Sequence, residues 1–435
     1  MTRKRMMSNV IWMLFERVVV TLAVLASNIY VVRSLGADRF GELSYIQAIF
    51  GLIVVAADCG LRRVMMVSFG RTSPGTIVSA MVFIKSIAAM LLCLFCYLAF
   101  LRNDNEGFIF IMLFCVFSPF EVYVFVLQAE LRNDLLAKIR TLIALAAAGA
   151  RVWLCLTDYG TVNLLLLTYI WQSSIIFLLA WVWKVFDKEK IWHISFRRFS
   201  RVWNISKIVF SKSVFFFISM ILIQAHYRID QIMISKISGD AELGIYSSAY
   251  KLVEQLLIVP GIISAVLLPT LALSRKNSEL TKERLTTIYA TTIFASVAIA
   301  LPVMFLAEPL IFLAFGAEFI AAGNILFYLM MGLPFLFLAN MSGLYFSVFG
   351  LERQAFLRNL VGLVFNVGLN FFMIPLFGAK GAALSTVVSY FMVAVGADVV
   401  FWARFKEHLD IKWMAVKILF TTKFYIGLTH VLRGR

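Results

Sequence analysis

Long apolar runs dominate the chain, each about the length of a membrane-crossing helix and each closed by a short polar break. A run of about 20 apolar residues crosses a hydrocarbon core of about 30 Å. Lipid offers the backbone no hydrogen-bond partners, so a crossing segment must satisfy its own amides. Strands would need alternating polarity, and these runs are solidly apolar, so the pattern predicts helices. Twelve are expected, near residues 10–32, 41–57, 76–100, 108–127, 139–156, 162–183, 209–234, 244–272, 286–306, 324–349, 355–376 and 380–402. The predicted fold class is therefore all-α, a polytopic membrane protein of about twelve transmembrane helices.

The polar breaks alternate in charge. The N-terminus and segments 58–75, 128–141, 184–212, 274–285, 350–358 and 403–435 hold 30 of the 40 Lys and Arg residues; the opposite gaps hold five and the spans five. Basic loops stay cytoplasmic, which places both termini in the cytoplasm. The basic start (Arg3, Lys4, Arg5) leads into an apolar stretch that Glu16 and Arg17 interrupt and that continues to Val32. That length predicts a retained first helix instead of a cleaved signal. The tail from Arg404 mixes Lys412, Lys417 and Lys423 with Trp413, Phe420, Phe424 and Tyr425, the composition of an interfacial amphipathic helix, with a short thirteenth span as the alternative.

Composition changes this picture little. Of 435 residues, 62% are hydrophobic and 15% charged, and mean hydropathy is +0.90, too little polar surface to coat a water-facing globule. The net charge of +16 follows from topology and attraction to anionic lipid heads, so no nucleic-acid partner is expected. All five cysteines lie in or beside apolar runs, and Cys93 and Cys96, though spaced C-x-x-C, fall within a span and predict packing. Four scattered histidines offer no metal site, and no resident cofactor is expected.

The basic gap from Lys184 to Lys212 divides the chain into two sets of six helices. The expected organisation is an N-terminal lobe at 1–190, a cytoplasmic linker at 191–208, a C-terminal lobe at 209–402 and a tail at 403–435. Gly36-Ala37-Asp38-Arg39-Phe40-Gly41 precedes helix 2 with Ser44 beyond it; Gly239-Asp240-Ala241-Glu242-Leu243-Gly244 precedes helix 8 with Ser247 at the same offset. Arg140 and Gly160 bracket helix 5 at the spacing with which Arg358 and Gly378 bracket helix 11. Two correspondences of this kind suggest an internal repeat with both halves in one orientation. Transporters use such halves as rocking bodies around a site at their interface.

Ionised residues inside the spans carry the candidate chemistry: Glu16, Arg17, Lys85, Glu121, Arg151, Arg228, Asp230, Lys251 and Glu254. Each costs about 2.5–3.5 kcal/mol near a helix centre, so they should face a bundle interior or a wet cavity. Arg17, Thr21 and Asn28 share a face of helix 1; Gln224, Arg228 and Gln231 share one of helix 7; Ser247, Lys251, Glu254 and Gln255 share one of helix 8. Helix 11 lines up Asn359, Asn366 and Asn370, which serve equally as interhelical glue. Internal pairing is the competing role for Lys251 with Glu254 and for Arg228 with Asp230. A cluster of cations suits an anionic substrate, because arginine's planar fork binds phosphate bidentately, while the carboxylates can carry protons.

Four stretches then resemble a known family. They are Asn9 to Trp12 with Val32-Arg33-Ser34-Leu35-Gly36 and Phe40 to Tyr45; Arg228 to Ile234 with Leu243 to Tyr250 and Pro269; Phe315 to Phe319; and Asn366 to Asn370 with Ile374 to Gly378 and Gly381-Ala382-Ala383. In order and spacing the chain resembles the polysaccharide flippases of the multidrug/oligosaccharidyl-lipid/polysaccharide exporter superfamily, above all the O-antigen repeat-unit type. The resemblance implies two six-helix lobes, MATE-like, around a cationic cavity. It implies a sugar repeat unit on undecaprenyl pyrophosphate moved from the cytoplasmic to the periplasmic leaflet of the bacterial inner membrane in exchange for a cation. A polysaccharide polymerase and a chain-length regulator are the protein partners it suggests.

On this reading Arg17, Arg151, Arg228 and Lys251 hold the head group of a lipid-linked oligosaccharide, with Lys85 a further candidate. Glu16, Asp230 and Glu254 are the coupling candidates for a proton or sodium ion. The alternative on the same architecture is a multidrug–cation antiporter, whose cationic substrates would favour carboxylates. A membrane-embedded glycan polymerase or ligase needs an extended outer loop bearing catalytic residues. The longest outer gap, about 17 residues from Ala307 to Gly323, has only Glu308 and Glu318 charged, so no enzyme is expected.

Overall fold

The structure is a computed structural model that describes residues 3–68, 74–103, 105–130, 132–157, 159–186, 199–264, 271, 278–419 and 421. Fifteen helices are labelled within them: α1 (Arg3–Asp58), α2 (Leu61–Ser68), α3 (Pro74–Asn103), α4 (Gly107–Phe117), α5 (Glu121–Ala129), α6 (Asn133–Leu156), α7 (Val162–Phe186), α8 (Phe199–Ser238), α9 (Asp240–Leu256), α10 (Ser278–Phe305), α11 (Ala307–Phe315), α12 (Ala322–Phe349), α13 (Glu352–Phe391), α14 (Ala397–Val400) and α15 (Trp402–Ile418). The described residues contain no strand. The chain is an all-α polytopic membrane protein, as its apolar pattern predicts.

Among the described residues, eight helical stretches are long and apolar enough to cross a membrane, or nine with the bent pair Val202–Ser211 and Ser213–Ser238. Two of the eight, Phe15–Met66 and Glu352–Val400, run to 52 and 49 residues. At 1.5 Å per residue either is long enough for two crossings, and a glycine breaks each one, at Gly36 and at Gly378. The expected span 244–272 is helical to Leu256 and again over 258–264 after a turn at Leu257, and residues 265–270, with Pro269, lie outside the described residues. So do residues 191–198 of the expected linker and 422–435 of the tail; residues 199–208 of that linker are helical. The outer surfaces carry large apolar side chains such as Phe305 (84% exposed), Leu313 and Phe371, the surface a bilayer rewards.

The chain divides into two compact units, Met1–Arg228 and Ile229–Arg435. In the first, Cys59, Leu61, Ile77, Met81, Val122, Phe125 and Val209 build a core from the ends of α1, α2, α3, α5 and α8. In the second, Leu285, Tyr289, Met341, Tyr345, Phe346 and Val393 form a core into which α15 inserts Phe405, Ile411 and Ala415. The tail helix therefore has a docked face as well as an exposed one, the latter bearing Trp402, Trp413 and Met414. Its buried Lys412 donates to Asp398 (2.6 Å) and to the Ala394 carbonyl, within a single wide turn at Met392–Gly396. Such a turn frees carbonyls from the helical ladder, and the lysine satisfies one of them.

The two glycine motifs behave alike. Gly36 sits at φ 70°, ψ 176° and Gly239 at φ 89°, ψ 172°, a region closed to residues with a Cβ. Behind each turn the matching positions are buried: Phe40 and Leu243, then Ser44 and Ser247. Arg140 and Arg358, matched by spacing in the sequence, have different partners, Glu16 at 3.8 Å for one and the Ala339 carbonyl at 3.1 Å for the other. A Cβ at Gly239 would meet nothing within 4 Å. Gly239→Val should therefore cost about 1–3 kcal/mol through backbone strain alone. Gly149→Ala, in helical backbone on α6 with the same open space, should gain about 0.5–1 kcal/mol. Thermal unfolding of the two purified variants in detergent checks the opposite signs.

Candidate functional site

The first unit holds a buried guanidinium with no carboxylate on it. Arg151, on α6, is 0% exposed. Its Nε donates to Thr168 Oγ1 (2.9 Å) and its Nη2 to Gln172 Oε1 (2.6 Å), both on α7. The plane lies 3.6 Å from the Tyr169 ring centre, and Nη1 has no hydrogen-bond partner. Tyr169 in turn donates its hydroxyl to Asn28 Oδ1 of α1 at 2.7 Å. Cation–π stacking and two neutral acceptors hold the charge in place without cancelling it. The spacing of Thr168 and Gln172, four apart on one face of α7, is the sequence signal that could have found this pocket.

Other predicted cations of this unit are placed differently. Arg17 is exposed on α1. Arg228 is half-buried and lies against Gly51, where a Cβ would come within 3.3 Å of its Nε and 2.7 Å of Gln224 Nε2. A Cβ there would press on both side chains, a close approach invisible in the sequence. Lys85 is buried and bridged to Glu121 at 2.8 Å, so its ammonium is engaged inside the unit. Glu16 faces Arg140 at 3.8 Å.

The second unit presents the opposite charge. Asp230, 2% exposed near the end of α8, accepts Asn370 Nδ2 on Oδ1 (2.5 Å) and both Thr386 Oγ1 (2.5 Å) and Tyr246 OH (3.0 Å) on Oδ2. Each of these three donors is neutral, and they come from α13 and α9. Asn370 also donates to Asn366 Oδ1 at 3.3 Å, while its own Oδ1 is buried with no partner. Lys251 and Glu254 pair at 3.6 Å on α9, as their spacing predicts. Asn370 of α13 thus acts across helices, on a carboxylate that the sequence places 140 residues away.

Two pockets result. One concentrates positive charge among neutral partners; the other gathers a carboxylate, amide oxygens and hydroxyls, the hard oxygen set that suits a proton or an alkali cation. Among the described residues no group of three or more His, Cys, Asp or Glu could hold a metal ion.

Comparison with known proteins gives the family and the fold. The family described as "Polysaccharide biosynthesis protein" matches residues 30–323. The chain is 22% identical over 373 residues to the probable low-salt glycan biosynthesis flippase Agl15 of Haloferax volcanii, a match covering 82% of this chain and 75% of that one. Among solved structures, the lipid II flippase MurJ in an inward closed conformation aligns at TM-score 0.70 and 16% identity, over 98% of this chain and 96% of that one. An inward-facing multidrug resistance MATE family transporter of the MOP superfamily aligns at 0.67 and 16% identity, over 90% and 95%. A MOP superfamily transporter from Pyrococcus furiosus, described by a binding pocket of reverse polarity, aligns at 0.60 and 17% identity, over 93% and 96%. At these identities the structures share a fold with this chain.

Removing the Asp230 acceptor tests how its pocket is held. Asp230→Leu leaves Asn370 and Tyr246 without it, while Thr386 keeps the Ala382 carbonyl at 2.8 Å. Tyr246 can turn its hydroxyl to Thr386 Oγ1 at 3.3 Å, so the one stranded Asn370 N–H predicts a loss of about 1–3 kcal/mol. Asp230→Asn, which keeps one oxygen and the shape, should lose less than half as much in the same detergent melt.

Proposed function

The chain belongs to the polysaccharide biosynthesis protein family, and we propose that it is a flippase for a lipid-linked oligosaccharide. The substrate on this reading is a surface-polysaccharide repeat unit, such as an O-antigen unit, on undecaprenyl pyrophosphate. It moves from the cytoplasmic to the periplasmic leaflet of a bacterial inner membrane by alternating access, with both termini cytoplasmic. The lipid tail stays in the bilayer while the charged head crosses. Agl15's description as a glycan biosynthesis flippase supports this class of cargo.

The observation that carries the proposal is Arg151. A guanidinium desolvated among a threonine, a glutamine and a tyrosine ring, with Nη1 unanswered, favours an anionic group over any cationic drug. It is buried in this state, so the reading requires the pocket to open during the cycle. Arg17, Arg228 and Lys251 are the more accessible cations for the head group; Lys85, engaged by Glu121, has a structural place.

Asp230 is the coupling residue we favour. A carboxylate held only by neutral groups can take up a proton, or rotate the Asn370 amide and bind an alkali cation with Thr386 and Tyr246. Glu16 and Glu254 are further coupling candidates, each facing a cation at 3.8 and 3.6 Å. Asp230 would also serve a multidrug–cation antiporter. Drug sensitivity in an efflux-deficient strain separates that reading from ours. No reaction chemistry is proposed.

Complementation of a flippase-null bacterium provides the test. The chain should restore surface polymer and clear accumulated lipid-linked repeat units. Arg17→Ala, Arg228→Ala and Arg151→Lys should each abolish or cut polymer at least about tenfold while still inserting, since lysine reproduces neither the ring stacking nor the fork. Unchanged polymer in all three would remove the cationic site.

A further inference from the structure

A second group of buried charges lies where α1, α2, α3 and α5 meet, away from Arg151. Asp58 (3% exposed) ends α1, Arg62 lies on α2, Lys85 (0%) on α3 and Glu121 (5%) begins α5. Arg62 Nη2 donates to Glu121 Oε1 at 3.0 Å and Lys85 Nζ to Glu121 Oε2 at 2.8 Å, so both oxygens of Glu121 are taken. Lys85 also donates to the Ala57 carbonyl at the end of α1, a favourable place for a cation. Arg62 and Lys85 both approach the Phe125 ring, at 5.2 and 5.5 Å.

Asp58 is the exception in this group. Its Oδ2 meets Arg62 Nε at a long 3.3 Å, and its Oδ1 is buried with no hydrogen-bond partner. Two carboxylates and two cations balance, yet one carboxylate oxygen is left bare in a medium that charges heavily for bare oxygens. We propose that Asp58 is a proton-binding site of the first unit, taking a proton on Oδ1 from water that reaches it along the half-exposed Arg62.

The geometry selects both the residue and the ion. A proton on Glu121 would weaken a short bond to Arg62 or to Lys85; on Asp58 it weakens only the longest contact and leaves Arg62 held by Glu121. An alkali cation would need several oxygens and would sit against two existing positive charges. A proton needs one oxygen and neutralises it. Arg62, 44% exposed at its side chain, links the site to solvent, on the side that the basic loops assign to the cytoplasm. The charged and titratable groups around Asp58 are Arg62, Lys85, Glu121 and the Cys59 thiol, with Arg140 of α6 acting from farther off. α8 contributes the backbone of Ser213 and Phe217, packed against Gly60.

Protonation would be felt at a joint. Cys59 and Gly60, between Asp58 and α2, have φ of 54° and 67°, and the Asp58–Arg62 pair spans that turn. Losing it removes the ion pair across that turn, while α2 stays on α5 through the Arg62–Glu121 bond and the Leu61, Val64, Val122 and Phe125 core. This inference does not rest on the flippase reading, because it concerns proton uptake with no cargo present.

Infrared difference titration of the full-length protein in lipid nanodiscs reads the event directly. As pH falls, the wild type should develop a carboxylic acid C=O band that Asp58→Asn lacks and Asp230→Asn retains. Arg62→Gln, at a half-exposed position tolerant of change, removes the cation facing Asp58 and should move that band to higher pH by about one unit or more. An unaltered titration in Asp58→Asn, an unmoved band in Arg62→Gln, or loss of the band in Glu121→Gln while Asp58→Asn keeps it, would overturn the proposal. Failure here leaves complementation untouched, and failed complementation leaves this titration standing.

Discussion

A charge inside a membrane-spanning helix has only protein to answer it, and most of this structure's polar architecture follows from that. Bulk water would screen Arg151, Asp230 or Lys85 for nothing; hydrocarbon leaves each worth several kcal/mol of solvation to be replaced. The chain replaces it in three ways. Lys85 receives a carboxylate, Glu121. Arg151 receives neutral acceptors and an aromatic face. Asp230 receives neutral donors. The first solution cancels the charge, while the other two preserve it in a dry pocket, where it attracts an opposite charge strongly. That difference distinguishes the three where burial does not, since all are fully or almost fully buried.

Fold alone would not have made the distinction. The chain shares its fold with a lipid II flippase and with a multidrug transporter at nearly the same identity, and one fold hosts many cargoes. Cargo has to be argued from the charges this chain places within its own helices. Here the first unit holds a cation, Arg151, on neutral acceptors and the second a carboxylate, Asp230, on neutral donors, which supports the proposal of an anionic head group coupled to a cation.

Much of this was legible in the sequence. The helical spans follow from apolar run length, and the Gly36 and Gly239 motifs proved to be the same turn, with ψ of 176° and 172°. The Lys251–Glu254 contact was readable because it lies within one helix turn. Contacts between distant segments were not. Asp230 reaches Asn370 and Thr386 across 140 and 156 residues, and Lys85 reaches Glu121 across 36; helical periodicity gives the face a residue occupies but not what lies opposite. The carboxylate on Lys85 was hidden for that reason. The tail misled in another way: Lys412 reads as an interfacial charge, yet it is buried on Asp398, a pairing that no local pattern announces.

The central claim, that this chain carries a lipid-linked anionic glycan across a bilayer, is tested most directly with purified protein in liposomes. A fluorescent undecaprenyl-pyrophosphate oligosaccharide is placed in one leaflet and its exposure followed with a membrane-impermeant quencher. Protein should make a time-dependent fraction of the label cross, and Arg151→Lys should slow that crossing. A label that stays in its leaflet as it does in protein-free liposomes would contradict the account.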